Sequence, residues 1–253
     1  MLLAIDVGNT QTVIGLFAEG DLIDHWRIAT VAERTSDELA LVLEQLIALS
    51  GHEAAVIEGI AVCSGVPRIT AELRTMAARY FDLEALILEP GVKTGMPILY
   101  ENPKEVGADR IANSVGAYDR YGGPVIVVDF GTANTIDAVS EHGEYLGGAI
   151  FPGIEVSLDA LFGRAAGLRR VELVAPQHVI GKTTAEAIQS GAVYGFSGQV
   201  DALVTRCIAE LGAATVVATG GLAELIAPHS TTIQHLDPWI TLHGLQLIYA
   251  RNR

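Results

Sequence analysis

The sequence predicts an α/β protein built from two related halves, and three observations support this prediction. An apolar strand, a turn and a second apolar strand occupy residues 2–17, and the same pattern returns at residues 125–140. The two copies lie 123 residues apart, close to half of the 253 residues, which indicates an internal duplication. Predicted strands and helices follow each copy in the same order. The offset pairs Asp6 with Asp129, Gly8 with Gly131, and Thr12 with Thr135.

Each predicted hairpin turns through residues that suit a phosphate group. Gly8 lets the backbone approach a ligand closely, and turn N–H groups together with Asn9 and Thr10 can donate hydrogen bonds to phosphate oxygens. Asp6, at the strand end, can hold the cation that accompanies a polyphosphate. An ordinary hairpin has the same pattern, so one copy alone decides nothing. Two copies in register favour a paired nucleotide site.

Composition excludes several classes of protein. Half of the residues are hydrophobic and 18% are charged, so a large core is available and disorder is not expected. A net charge of −14 argues against nucleic acid or an anionic membrane as a partner. Cys63 and Cys207 do not have the spacing of a metal site or a redox motif. Asp6 interrupts the apolar start of the chain, so we expect no signal peptide. No uncharged run approaches a membrane span. We expect a soluble, cytoplasmic protein.

In the first half, the pattern predicts three strands, a helix, a strand, a helix and a strand. Thr35 and Glu38 form a possible capping box before the first helix, and Pro67 is placed to open the second. After the hairpin, the predicted elements are a strand at 22–29, a helix at 39–49, a strand at 59–63, a helix at 67–80 and a strand at 86–88.

The second half repeats this plan. Strands are predicted near 125–130, 134–139 and 144–150, then helices, a strand at 216–218 and a last helix near 240–251. The closest approach to a domain boundary is Tyr121-Gly122-Gly123-Pro124. We therefore expect domains of residues 1–121 and 122–253.

The first half ends with a long loop and a helix. Residues 90–106 form a loop of Gly, Pro and polar residues, and loops of this length are often functional. Tyr100 within it is equally well explained as a buried anchor or as a ligand contact. The helix opens at Gly107-Ala108-Asp109-Arg110, and its expected buried stripe is Ile111, Val115 and Tyr118.

Asp109 lies roughly 200° around the helix from Ile111, on a face with Asn113 and Gly116. Adjacent helical residues do not face each other, so Asp109 and Arg110 need different partners. Asp109 in the first turn can stabilise the helix dipole by about 0.3–1 kcal/mol. That role leaves Arg110 unexplained.

Four motifs in the second half also have competing interpretations. Thr183 and Glu186 fit a second capping box, which leaves Thr184 available for a ligand. Small residues recur in the helix that follows, which favours close helix packing; they are Ala187, Gly191, Gly195 and Gly198. We assign the Phe151-Pro152-Gly153 turn to packing, with substrate contact as the less favoured alternative. The Thr219-Gly220-Gly221 turn suits either a nucleotide or a plain helix start.

Six strings resemble those of the type III pantothenate kinases, within the sugar kinase, actin and Hsp70 superfamily. They occur in the family's order over nearly the whole chain: DVGNT, ENPKEVGADRIANSVGAY, DFGTANTIDAV, GEYLGGAIFPG, IGKTTAEAIQSG and ATGGLAELI. Each string is weak alone, whereas the ordered set is highly specific. The resemblance implies two ribonuclease H-like domains, with ATP in the cleft between the two Asp-x-Gly turns.

The resemblance also implies an activity and its residues. ATP would phosphorylate pantothenate, with Asp109 as general base, Asp6 holding Mg²⁺ and Asp129 holding a monovalent cation, K⁺ or NH₄⁺. ATP contacts are implied for Thr132 and for eight residues around the first turn: Asp6, Val7, Gly8, Asn9, Thr10, Gln11, Thr12 and Val13. Pantothenate contacts are implied for Tyr100, Gly107, Ala108, Asp109, Arg110 and Thr184.

The resemblance further implies a homodimer whose substrate pocket takes residues from both chains. Family members often have Thr where Asn134 stands, and Asn keeps a hydrogen-bonding group there. Two alternatives stay open: a kinase of another small polyol, and a non-catalytic accessory or regulatory protein with the same fold. The GADR string and Tyr100 weigh against the first, and both Asp-x-Gly turns and Asp109 weigh against the second.

Overall fold

Two five-stranded sheets, each flanked by helices, make up the computed structural model, which describes residues 1–165 and 167–253. The strands are β1 (Leu2–Val7), β2 (Gln11–Ala18), β3 (Asp21–Ala29), β4 (Gly59–Ser64), β5 (Leu86–Ile87), β6 (Val125–Phe130), β7 (Ala133–Val139), β8 (Tyr145–Pro152), β9 (Thr215–Thr219) and β10 (His235–Leu236). The helices are α1 (Ser36–Leu49), α2 (Pro67–Tyr80), α3 (Ala108–Tyr121), α4 (Ile154–Arg164), α5 (Thr184–Leu211), α6 (Ala223–Ile226) and α7 (Ile240–Arg251). The predicted elements are present in the predicted order in both halves, whereas the short strand β10 was not predicted.

The chain divides into two compact units. Unit 1 contains Met1–Pro97, Glu101–Gly116 and Ile240–Arg253, and unit 2 contains Ile98–Tyr100 and Ala117–Trp239. The predicted domains, 1–121 and 122–253, follow the repeat in the sequence. Compactness instead assigns the last helix to unit 1 and a three-residue segment of the long loop to unit 2.

The two sheets share one topology. The order is β3-β2-β1-β4-β5 in unit 1 and β8-β7-β6-β9-β10 in unit 2. In each sheet the first hairpin is antiparallel, and the first strand also pairs in parallel with the strand that follows the first helices. The duplicated α/β fold predicted from the sequence is therefore present.

The two hairpins differ by one residue. Val7 pairs with Thr12 in unit 1, whereas the equivalent Phe130 pairs with Asn134 in unit 2. A shift of one residue moves a strand side chain to the opposite face of the sheet. Asn134, not Thr135, is therefore the structural counterpart of Thr12. The offset of 123 holds for the Asp and Gly of each turn but fails beyond them, because the second turn is one residue shorter.

Alternation along β1 separates the core from the candidate site. Leu3, Ile5 and Val7 point into a cluster of buried side chains that includes residues of α1 and α2. Asp6 points to the opposite face, as alternation along a strand requires. On that face, α7 packs closely, since a Cβ on Gly15 would lie 2.8 Å from the side chain of Leu242.

Local sequence signals set the helix starts. The Thr35 hydroxyl accepts from the Glu38 N–H at 3.3 Å, and the Glu38 carboxylate accepts from the Thr35 N–H at 2.8 Å. Thr183 and Glu186 form the same reciprocal pair before α5. Both predicted capping boxes are confirmed. None of the described helices is long and apolar enough to cross a membrane.

The prediction of a single buried stripe on α3 is wrong. Val115 is buried, but Ile111 and Tyr118 are only partly buried, and Asn113 on the other face is fully buried. The Thr241 hydroxyl of α7 donates to Asn113 at 2.5 Å. Small residues let the two helices meet closely, since a Cβ on Gly116 would lie 2.4 Å from the Ile240 carbonyl oxygen. The helix is covered on more than one side, which its apolar spacing does not indicate.

The small-residue ridge on α5 is exposed in the part of the chain that the structure describes. A Cβ added to Gly191, Gly195 or Gly198 would meet no described atom within 4 Å, and Ala187 is also exposed. A partner for the expected close helix packing is therefore not found among the described residues of one chain, and packing against a second chain stays a prediction. Glycine in a helix interior costs about 1 kcal/mol relative to alanine. Among the described residues of one chain, no contact compensates this cost.

Candidate active site

The first turn follows directly from the carboxyl end of β1. The N–H of Gly8 donates to the carbonyl of Gln11 at 3.0 Å, which closes a tight turn. Asn9, Thr10 and Gln11 are exposed. Thr12 is buried and its hydroxyl shares a 2.8 Å hydrogen bond with that of Thr30. The exposed polar side chains of the predicted nucleotide-binding run are thus concentrated at residues 9–11.

Asp6 lies on the sheet face beside α7, next to a thiol to which the sequence pattern assigned no role. It is level with Cys63 of the parallel strand β4, and the Cys63 thiol donates to Asp6 Oδ1 at 3.1 Å. The feature that marks Cys63 as a possible site residue is its place near the carboxyl end of the adjacent parallel strand, because ligands bind at the carboxyl ends of such strands. That feature becomes usable only once the strand pairing is known.

The pKa of Asp6 is raised to about 6. Burial is the main cause, the hydrogen bond from Cys63 opposes it, and the negative charge of Asp109 raises the pKa further. Burial and the adjacent Asp6 carboxylate raise the pKa of the Cys63 thiol well above its ordinary value, so the thiol stays protonated and remains a donor.

Asp109 is exposed in the first turn of α3, and its carboxylate lies back over Gly107. A Cβ on Gly107 would lie 2.4 Å from Asp109 Oδ1, so this position of the carboxylate requires glycine. The same oxygen accepts from the N–H of Arg110 at 2.8 Å. The predicted helix-end contact therefore exists, and the carboxylate remains open to solvent. Arg110 itself is buried.

These residues fit a divalent cation held jointly with phosphates. Asp6 is a carboxylate whose ionised form is disfavoured by burial and by the charge of Asp109, so a nearby cation would stabilise it. Among the described residues, no group of three or more His, Cys, Asp or Glu side chains could hold a metal ion. Mg²⁺ typically takes one or two carboxylates, with waters and substrate phosphates completing its shell. A cation here would therefore depend on the nucleotide.

The second turn has its own close packing in unit 2. A Cβ on Gly153 would lie 2.3 Å from the Thr132 carbonyl oxygen, and the Gly153 N–H donates to that oxygen at 3.1 Å. Phe151 and Pro152 end strand β8 and Gly153 precedes α4, so the predicted turn is the end of a strand, and Gly153 packs against the Gly131-Thr132 turn. Thr132 is exposed, and Asp129 is partly buried at the end of β6. Gly220 adjoins Asp129: with φ +93°, its Cβ would lie 2.4 Å from Asp129 Oδ1.

Asn134 shows an unusual environment. Its side chain is fully buried, and neither its amide nitrogen nor its amide oxygen has a hydrogen-bond partner among the described residues. The expectation that Asn keeps a hydrogen-bonding group in place of Thr is met chemically, but the group bonds to no described residue. A buried amide without partners costs free energy, typically about 1–3 kcal/mol.

Two predicted substrate contacts lie outside these turns. Tyr100 is partly buried, with its ring 6.3 Å from that of Tyr145, centroid to centroid. Thr184 is exposed at the first position of α5, and the neighbouring Thr183 provides the cap, accepting from the Glu186 N–H at 3.2 Å. Within unit 1 the structure thus groups Asp6 and Asp109, together with the unpredicted Cys63.

Comparisons with known proteins agree with the resemblance. The family model described as type III pantothenate kinase matches residues 2–206. A type III pantothenate kinase of Streptomyces avermitilis is 56% identical over 261 residues, covering 100% of this chain and 98% of the relative. A protein of the same name from Moorella thermoacetica is 55% identical and fully covered on both sides.

Solved structures support the fold alone. Component A of (R)-2-hydroxyglutaryl-CoA dehydratase from Acidaminococcus fermentans superposes with a TM-score of 0.58 at 15% identity, covering 98% of this chain and 96% of that one. An inorganic polyphosphate/ATP-glucomannokinase from Arthrobacter gives a TM-score of 0.52 at 15% identity, covering 99% and 98%.

Proposed function

Because the chain belongs to the type III pantothenate kinase family, we propose that Asp109 is the general base of an ATP-dependent pantothenate kinase. The reaction transfers the γ-phosphoryl group of ATP to the primary hydroxyl of pantothenate and yields ADP and 4′-phosphopantothenate. This is the first step of coenzyme A biosynthesis. The observation that supports the role of Asp109 most directly is its solvent-open carboxylate over Gly107, near Asp6.

Phosphoryl transfer relies on positioning and charge stabilisation more than on covalent catalysis. Asp109 orients the attacking hydroxyl of pantothenate and accepts its proton. Gly107 and Ala108, which are partly exposed, and the buried Arg110 contact the same substrate, as does Tyr100. These assignments are supported by the match of the GADR string to the family and by the geometry of the helix start.

The turn residues hold the nucleotide in this proposal. Backbone N–H groups and the exposed side chains of residues 9–11 donate to phosphate oxygens, and Thr132 makes a further phosphate contact. Asp6 holds Mg²⁺, which when bound neutralises charge on the phosphates. The thiol of Cys63 donates to Oδ1 of Asp6 and would help to orient the carboxylate that would hold the cation.

Asp129 is assigned to a monovalent cation, K⁺ or NH₄⁺. Support comes from the family resemblance and from the place of Asp129, at the end of β6 beside the Gly220 turn. In a chain of net charge −14, each carboxylate near a polyphosphate adds repulsion that a cation relieves. We also place the reaction in the cytoplasm, where its substrate ATP is available.

A homodimer is the proposed assembly, with Thr184 reaching the pantothenate pocket of the second copy. The exposed glycine ridge of α5 offers a surface on which another helix can approach closely. Val179 and Ile180, just before α5, are 66% and 82% exposed, which is unusual for large apolar side chains in a monomer. These features support an interface on this side of the chain.

The proposal is tested by replacing Asp109, the proposed general base. Asp109→Asn should lower turnover about 10²–10⁴-fold, the range for loss of a general base, while ATP still binds. Asp119→Asn, which alters another exposed carboxylate on α3, is the matched control and should leave turnover nearly unchanged. ADP release is measured with pantothenate and with a panel of sugars. Half of wild-type turnover in Asp109→Asn would reduce Asp109 to a helix-end residue.

The sugar panel also addresses the alternative of another small polyol as substrate. Identity of 55–56% over whole chains to proteins named pantothenate kinases favours pantothenate. Faster ADP release with a sugar than with pantothenate would favour the alternative. Absence of ADP release with every substrate tested would favour a non-catalytic homologue.

A further inference from the structure

Three residues of the long loop, Ile98–Tyr100, are attached to the edge of the unit 2 sheet, although the chain on either side of them belongs to unit 1. The N–H of Leu99 donates to the Tyr145 carbonyl at 2.8 Å, and Ile98 forms a parallel bridge with the same residue. Tyr145 begins β8, the edge strand of that sheet. The backbone of this segment is therefore fixed by one residue.

The side chain of Tyr100 is fixed by the same strand. Its ring is tilted by 56° to the ring of Tyr145, at a centroid distance of 6.3 Å. A Cβ on Gly147 would lie 3.3 Å from the Tyr100 ring, and Gly147 has φ +119°, which favours glycine. The Tyr100 ring thus lies over the backbone of Gly147 and beside the ring of Tyr145.

A buried carboxyl group holds Tyr145 in turn. Tyr145 and Asp137 are both fully buried, and the Tyr145 hydroxyl donates to Asp137 Oδ1 at 2.8 Å. The Thr135 hydroxyl donates to Asp137 Oδ2 at 3.0 Å. Phenylalanine would fill nearly the same volume without placing a carboxyl group in the core. The carboxyl group of Asp137 therefore orients the Tyr145 ring, because a hydrogen bond depends on direction.

We propose that Asp137 and Tyr145 are positioning residues that hold Tyr100 in place for pantothenate. The inference rests on the proposed contact between Tyr100 and the substrate. Asp137 fixes the ring of Tyr145; Tyr145 fixes both the backbone of Leu99 and the ring of Tyr100. Because Tyr145 holds Ile98, Leu99 and Tyr100, a displacement of Tyr145 should weaken the binding of pantothenate.

The test is Tyr145→Phe, which removes one hydroxyl and leaves the ring. The KM for pantothenate should rise about five- to tenfold, the effect of one lost buried hydrogen bond, with kcat and the KM for ATP nearly unchanged. Amide exchange at Leu99 should become faster, which reports the segment without any activity measurement. Tyr118→Phe is the matched control, because it removes a 3.3 Å hydrogen bond to the Glu141 carbonyl elsewhere in unit 2.

Two further variants separate the inference from the function on which it rests. Tyr100→Ala tests the substrate contact itself: an unchanged KM for pantothenate would remove that contact, and this inference with it. If Tyr100→Ala raises the KM while Tyr145→Phe does not, the positioning role alone is wrong. Should Tyr145→Phe fail to fold, Asp137→Leu, which removes both acceptor oxygens and keeps a similar side-chain shape, takes its place. It should raise the same KM, and an unchanged KM there overturns the inference.

Discussion

The start of α3, and with it Asp109, depends on the close crossing of α3 and α7, which Gly244→Ala should disturb. A Cβ at this position would lie 1.9 Å from the Ala112 carbonyl oxygen and 2.7 Å from its carbonyl carbon. Both atoms are backbone and cannot rotate away. Since real Cβ contacts are essentially never under 3.0 Å, the two helices must separate by about 1 Å.

The expected loss of stability is the sum of three contributions, two that lower the free energy of unfolding and one that raises it. Overpacking of this kind costs about 1–3 kcal/mol. Separation also weakens the buried hydrogen bond from Thr241 to Asn113, worth about 0.5–1.5 kcal/mol. Alanine is better than glycine in a helix by about 1 kcal/mol, which offsets part of the loss. The net free energy of unfolding should fall by about 1–3 kcal/mol, and Tm by about 2–4 °C for each kcal/mol.

Urea denaturation followed by circular dichroism measures this change, with Gly163→Ala as the control. Gly163 lies in α4, where an added Cβ would meet no described atom within 4 Å, so alanine there should be neutral or stabilising by up to about 1 kcal/mol. Turnover of folded Gly244→Ala should also drop, because α3 carries the base. Equal urea midpoints for Gly244→Ala and the wild type would refute the close crossing.

Three further outcomes are expected. With Mg²⁺ fixed, turnover should require K⁺ or NH₄⁺, and full activity without either would remove the cation role from Asp129. Asp109→Asn and Thr184→Tyr should each be inactive alone, and a mixture of the two should regain activity. A tag on one variant shows separately whether subunits exchange. Exchange without activity, or a wild type that sediments as a fully active monomer, contradicts the shared pocket. Burial alone would raise the pKa of Asp201, yet hydrogen bonds from residues 230–232 lower it to about 2. Asp201 should therefore stabilise the fold above pH 3.8 and lose that contribution as the pH falls towards 2. The difference in urea midpoint between wild type and Asp201→Asn should narrow over this range, and a constant difference would exclude the ionic contribution.

Features that depend on neighbours in sequence were determined by the sequence itself. The duplicated hairpin, the order of strands and helices, both capping boxes and the limits of α7 follow from alternation of apolar residues and from contacts within one helical turn. The family strings likewise identified the kinase family, because they are read directly from the residues. None of these features requires knowledge of which elements meet in space.

Only the tertiary structure decided what depends on distant partners. The shorter second turn, which makes Asn134 the counterpart of Thr12, becomes visible through strand register. Cys63 reaches Asp6 because β4 pairs with β1, 57 residues away in the chain. The ridge on α5 has the spacing of a packed face, yet it is exposed in this chain. Spacing along one element shows which side chains share a face, whereas coverage of that face is set by elements elsewhere in the sequence.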